Sequence, residues 1–311
     1  MSSERREGLG RRELLTAAVA TVSVSLVHAQ TPSPVTAPPP QTTLADAPLT
    51  EGTTITVERR DDIVLIGFNR QAKHNRLDGA TRRRLGEVLY GYEHDPSLRA
   101  AVLFGHGDRF SRGIDVDDAQ VSLQATAGAQ ASAPTIDILG KNTPSTGKPI
   151  ICVVHGDTWN LGHEIYLACD IRIAAANTEF GQDENAHGRF PGGGATVRFV
   201  REAGWGNAMR YMLTGDHWTA EESLRMGITQ VVAPTPRAAL DAGIGMARKI
   251  AAVGPLSVRA TLSSARDVTT PMEAAALAKT GPTYVGLYKT EDFVEGRRAE
   301  AEGRPPKFRG K

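Results

Sequence analysis

The segment that most constrains this chain is PIICVVHG, followed after four residues by LGHEIYLACD and then IRIAAA. A continuous apolar run rich in β-branched residues, an apolar run of helical length and a second β-rich run can all be buried together only as strand, helix and parallel strand, with both sheet faces covered. The surrounding sequence extends that rhythm. TTITVERR and DDIVLIGFN flank Arg59-Arg60-Asp61-Asp62 and predict a hairpin, and RAAVLFG predicts a further buried strand. Leu85, Val88, Leu89 and Tyr92 repeat at helical spacing behind Asp78, a suitable N-cap. Thr219 and Glu222 have capping-box spacing, and Gly227 is placed to close that helix. Leu240, Ile244, Ala247 and Ile250 form one stripe ahead of Gly254-Pro255, although Gly243 and Gly245 interrupt it. Strands fill the first half and helices the second, which predicts an α/β core with a helical C-terminal section.

Composition narrows the function classes. The 311 residues carry 36 Lys and Arg against 35 Asp and Glu, and 40% are hydrophobic. That balance fits a globular enzyme and excludes a disordered chain or a dedicated nucleic-acid surface. Cys152 and Cys169 cannot make a disulfide framework or a zinc site alone; both lie in apolar runs, as buried thiols would.

Residues 1–29 read as an export signal of the twin-arginine type: Arg11-Arg12, a short small-residue apolar stretch, and Val27-His28-Ala29. That stretch is too short and too rich in Ser and Thr to be a stable membrane span. Residues 30–52 form a Pro/Thr-rich linker, so the fold is expected over 53–311, with a core over 53–250 and the helical section over 251–311, and the destination is the periplasm. Without use of the signal the chain would stay cytoplasmic. The Ala/Ser/Gly-rich stretch from Asp117 to about Pro134 reads as a loop of unspecified conformation, a candidate lid.

Two carboxylates stand out. Glu164 interrupts an apolar helix, and Glu184 follows twenty positions later in FGQDENAHG. A pair of partly buried carboxyls is what water activation and proton delivery beside a carbonyl require. His187 is placed to join such acid–base chemistry. The histidines lack metal-ligand spacing, and no metal site is expected.

The order and spacing of FNRQAKHNRLDG, LFGHGDRFSRGIDV, KPIICVVHGDTWNLGHEIYLACDIRIAA, EFGQDENAHGRFPGGGATVRF, LTGDHWTAEESLRMGI and TEDFVEGRRAEAEGRPPKFRG resemble the crotonase (enoyl-CoA hydratase/isomerase) superfamily. The resemblance implies a spiral ββα core and a lyase that hydrates or dehydrates a bond conjugated to a thioester carbonyl. It places the backbone N–H groups of Ile114 and Leu161 at the oxyanion-hole positions. Glu164 would act on water and Glu184 on the α-proton. It implies a small acyl-thioester or carbonyl substrate, no cofactor, and a homotrimer or a hexamer.

Departures accompany the match. Leu161 stands where the family usually has glycine, Arg76 where Ala follows the early Asn, and Glu300 and Gly303 where an aromatic and a lysine help hold coenzyme A. An acidic side chain there is unfavourable for a nucleotide phosphate and weakens the assignment of coenzyme A as carrier. A β-diketone hydrolase on the same fold is therefore a second reading, and a catalytically idle binding module a third. An active enzyme predicts a closed apolar pocket flanked by the two glutamates. The idle module predicts glutamates that face solvent or sit in salt bridges.

Overall fold

The computed structural model describes residues 52–118, 134–141 and 145–311. The signal segment, residues 30–51 of the linker and residues 119–133 of the candidate lid lie outside them.

Strands β1 (Ile55–Arg60) and β2 (Ile63–Phe68) form the expected hairpin, with Ile55 opposite Phe68 and Arg60 opposite Ile63. From β2 the pairing turns parallel, through β3 (Ala100–Gly105), β4 (Ile150–Val154), β6 (Ile171–Ala175) and β9 (Val231–Ala233). The sheet order is β1-β2-β3-β4-β6-β9. Alternate side chains serve two cores. Val64, Ile66, Leu103, Cys152 and Val154 belong to one, with Leu85 and Leu89 of α1 (Gly79–His94) and Ile165 of α2 (Leu161–Ala168). Ile63, Leu65, Val102, Ile151 and Val153 belong to the other, with Leu240, Ile244 and Ala247 of α6 (Pro236–Ala251). Coverage of both faces is why these strands read as unbroken apolar runs.

The local signals act as their chemistry dictates, with one exception. Asp78 Oδ1 accepts from the Thr81 N–H at 2.7 Å and caps α1. At α5 (Ala220–Arg225), Thr219 Oγ1 accepts from the Glu222 N–H at 3.2 Å. Glu222 does not complete the reciprocal box, because its carboxylate is taken by Arg225 at 2.6 Å and Tyr211 at 3.0 Å. Gly243 is no helix defect: a methyl there would collide with Val153, so the glycine lets α6 lie directly on the sheet.

A second sheet was not foreseen. β5 (Asp157–Trp159) pairs parallel with β7 (Glu179–Gly181), which pairs antiparallel with β8 (Trp218–Thr219). Helices α3 (Ala195–Ala203) and α4 (Trp205–Thr214) come between β7 and β8. The C-terminal section is α7 (Pro255–Leu287), opened by Pro255 in its first turn, and α8 (Glu291–Glu302). Among the described residues no helix is long and apolar enough to cross a membrane. Asp170 is structural, accepting from the Ile150 N–H at 2.9 Å and from Arg266 at 2.7 Å. Both cysteines are free and buried.

Candidate active site

The small sheet delivers the start of α2 to a defined place. Ser111 bridges to Thr158 of β5: its N–H donates to Asp157 O at 3.0 Å, and Trp159 N–H donates to Ser111 O at 2.9 Å. Gly113, at φ 92°, can then press so close to the α2 entrance that a Cβ on it would lie 3.1 Å from Leu161 N. Leu77 holds the next residue by donating to Gly113 O at 2.9 Å and accepting from the Asp115 N–H at 3.0 Å. Neither Ile114 N–H nor Leu161 N–H has a hydrogen-bond partner among the described residues. Leu161 is the first residue of α2, where unpaired N–H groups and the helix dipole both favour a negative oxygen.

Asn160 makes this corner possible. It adopts φ 54° and ψ −120°, a sparsely populated conformation for a residue with a side chain. Asp183 holds it there. Asn160 Nδ2 donates to Asp183 Oδ1 at 2.7 Å, and the Asp183 N–H donates to Asn160 Oδ1 at 3.0 Å. The leucine in place of the family's glycine therefore keeps its N–H available, because the positive φ falls on the residue before it.

One turn into α2, Glu164 is buried, not half-exposed. Its Oε1 accepts from the N–H groups of Gly193 at 2.7 Å and Ala195 at 3.1 Å. Burial pushes its pKa up, while these two donors and the nearby Lys141 and Arg198 pull it back. Lys141 Nζ donates to Gly192 O at 2.5 Å, and burial lowers its own pKa. Glu184 opens a short 3-10 turn (Glu184–His187) and is also buried. Burial and then the Glu164 charge push its pKa well above the ordinary carboxylic range. Its oxygens accept from Gln182 Nε2 at 2.9 and 3.0 Å. Gln182 Oε1 in turn pairs with His163 Nδ1 at 2.6 Å. Burial among Phe180, Phe199 and Trp218 lowers the His163 pKa to about 4, so the neutral ring is the donor.

Ile114, Leu161, Glu164, Glu184 and His187 all line one cavity of about 380 Å³. His187 Nε2 stands 3.6 Å from Asp183 Oδ2, which also meets His217 Nε2 at 3.2 Å. Burial pushes Asp183 up, but hydrogen bonds from His187, His217 and Asn160 outweigh it and hold this carboxyl well below its usual range. His155, by contrast, is spent on Gly107 O at 3.0 Å.

Two of the readings can be set against this geometry. The cavity is more apolar than polar, but its wall is mixed: Arg76, Arg82, Arg112, Lys141 and Arg189 share it with Leu161, Trp159, Tyr284 and Tyr288. The glutamates of an idle module are also not found, since both are buried and neither is in a salt bridge among the described residues. Sequence reasoning passed over Lys141, Gln182, Asp183, Arg189, Tyr284 and His217. Only Asp183, adjacent to Glu184, carries any signal in the sequence.

A ββα core with a helical C-terminal section, and two unpaired N–H groups beside paired buried carboxyls, define a crotonase-like fold and site. The sequence profile of the enoyl-CoA hydratase/isomerase family matches residues 58–311. An enoyl-CoA hydratase of Mycobacterium tuberculosis is 34% identical over 257 residues, covering 82% of this chain and 96% of that protein. A 2,3-dehydroadipyl-CoA hydratase of Escherichia coli is 30% identical over 256 residues, covering 82% and 98%. The crystal structure of a probable enoyl-CoA hydratase/isomerase from Mycobacterium abscessus superimposes with a TM-score of 0.67 at 38% identity, covering 83% of this chain and 99% of that one. The chain belongs to the crotonase (enoyl-CoA hydratase/isomerase) superfamily and is a lyase of that type.

Proposed function

We propose that this protein adds water to, or removes it from, a carbon–carbon double bond conjugated to an acyl-thioester carbonyl. The carrying observation is the pairing of two buried carboxyls, differently held, beside the free N–H groups of Ile114 and Leu161. The carbonyl oxygen sits between those N–H groups, which stabilise its negative charge as the enolate forms. Glu164, with Oε1 tied to the Gly193 and Ala195 N–H groups, uses its other oxygen to take a proton from water as the hydroxyl adds to the β-carbon. Glu184, favoured in its protonated form, gives its proton to the α-carbon. Proton exchange between the carboxyls and solvent resets the pair.

Glu184→Gln is expected to cut kcat for hydration of crotonyl-CoA by about a thousandfold with an unchanged circular dichroism spectrum. A rate within a few-fold of the parent would remove Glu184 from the chemistry. A second reading, hydrolysis of a carbon–carbon bond in a β-diketone, draws on Glu300, which lines the cavity where the family often has an aromatic. Turnover of a cyclic β-diketone without turnover of crotonyl-CoA would put that reading first. The same proposal includes export through the residue 1–29 signal and assembly as a homotrimer or a dimer of trimers.

A further inference from the structure

Arg76, Arg82 and Arg189 line the cavity, and none of their guanidinium groups has a hydrogen-bond or ion-pair partner among the described residues. Arg112, on the same wall, has Asp157 at 2.7 Å. Arg189 is the most costly of the three to leave so, because its Nε is fully buried and unsatisfied. Arg82 is exposed and Arg76 half-buried, so it is Arg189, half-buried with an unsatisfied Nε, that is poised for an anion from outside; a planar carboxylate can meet the fork of an arginine in two hydrogen bonds.

The position of each arginine in the chain places it relative to the two ends of the site. Arg76 immediately precedes Leu77, the residue bridged to Ile114, so it belongs to the carbonyl end. Arg189 follows the Glu184 turn, to which its own N–H is tied through Glu184 O at 2.8 Å. Both Arg189 and Arg82 act on the Tyr284 phenol, opposing the burial that pushes its pKa up. Tyr284 packs on Gly192 and hydrogen-bonds Tyr288. Arg189 is not the neutralising partner of Glu184: no ion pair joins them, and burial and the Glu164 charge prevail over Arg189 in pushing that carboxyl up.

We propose that Arg189, with Arg82, forms a carboxylate subsite beyond the reacting carbons, so that the preferred substrate is an enoyl thioester whose acyl chain ends in a carboxylate. This rests on the hydration reading above and names its substrate class. The phenols of Tyr284 and Tyr288 add polar contacts around the same group.

The test compares pent-2-enoyl-CoA with glutaconyl-CoA, which share the conjugated thioester and differ in a terminal methyl or carboxylate. The parent enzyme is expected to favour glutaconyl-CoA by about tenfold or more in kcat/KM, and Arg189→Met to bring the ratio to about one. Arg189→Lys retains part of the preference. A parent ratio at or below one, or an equal loss on both esters in Arg189→Met, overturns the subsite; equal loss would place Arg189 on the common thioester portion or on Glu184. If Arg189→Met does not fold, the ratio is measured in Arg189→Lys and Arg82→Met, each expected to lose part of the preference, and a parental ratio in both overturns the subsite. If neither ester is hydrated, the hydration reading fails, and calorimetric titration with hexanoate and hexanamide decides the subsite separately. Binding of hexanoate alone, lost in Arg189→Met or weakened in the two substitute variants, sustains it; equal binding of both, or none, refutes it.

Discussion

At Gly193 a single hydrogen atom separates a working site from a blocked one. A methyl on that Cα would fall inside the Glu164 carboxylate, whose Oε1 is held by the Gly193 N–H itself. The carboxylate would have to leave its two donors to make room. Gly193→Ala is therefore expected to lower kcat by at least about a hundredfold, a cost of about 3 kcal/mol in barrier. Global stability should fall by only about 1–3 kcal/mol, the usual result of overpacking. Steady-state kinetics beside urea unfolding separates the two effects, and a variant with near-parental kcat would show that the Glu164 position has slack. The paired glutamates could be read from the chain because acids interrupt an apolar pattern at a recognisable spacing. Arg189 and Lys141 could not, since a lone cation in a loop looks the same whether it faces solvent or a cavity.

At the scale of elements, the small sheet and the entrance to α2 are joined by a charged knot. His217 meets Glu179 at 2.9 Å and Asp183 at 3.2 Å, and Asp183 holds Asn160 at its strained φ. The Asp183 hydrogen bond raises the His217 pKa, overcoming burial, to about 8. Because the folded value lies above the unfolded one, the stabilisation is fully present below about pH 6.5 and is lost as pH rises through about 8. With allowance for screening at this half-exposed ring it is worth on the order of 1 kcal/mol. Urea midpoints are expected to fall between pH 6 and 9 in the parent and to lose that component in His217→Asn; parallel curves would exclude the knot as its source. Elements of this size left little trace in the sequence. β5 and β8 span three residues and two, too few for alternation to be seen, and the partners that make them strands are distant in the chain. β2, β3, β4 and β6 were legible because burial on both faces demands apolar side chains at nearly every position.

For the whole molecule, the net charge of +1 conceals how charge is placed: five cations and four carboxyl groups share the wall of one cavity. Sums over a chain cannot show this, although they did exclude a polyelectrolyte. The long α7 is the other feature visible only in three dimensions. Val268 and Met272, one helical turn apart, are 72% and 82% exposed, and Leu256 is 81% exposed. If the proposed trimer forms through this face, sedimentation equilibrium gives about three times the 33.2 kDa chain mass, and Val268→Glu with Met272→Glu lowers it. A monomer in the parent would end the trimer proposal, and an intact trimer in the double variant would move the interface elsewhere.

The stretch from Arg189 to Gly193 divides into two kinds of position. At 193 the Glu164 carboxylate occupies the space a side chain would need, whereas 189 already lends a side chain to the cavity wall. On the proposed subsite, a change at 189 would alter which acyl end is recognised and leave the Glu164 carboxylate, held four places further on, where it is.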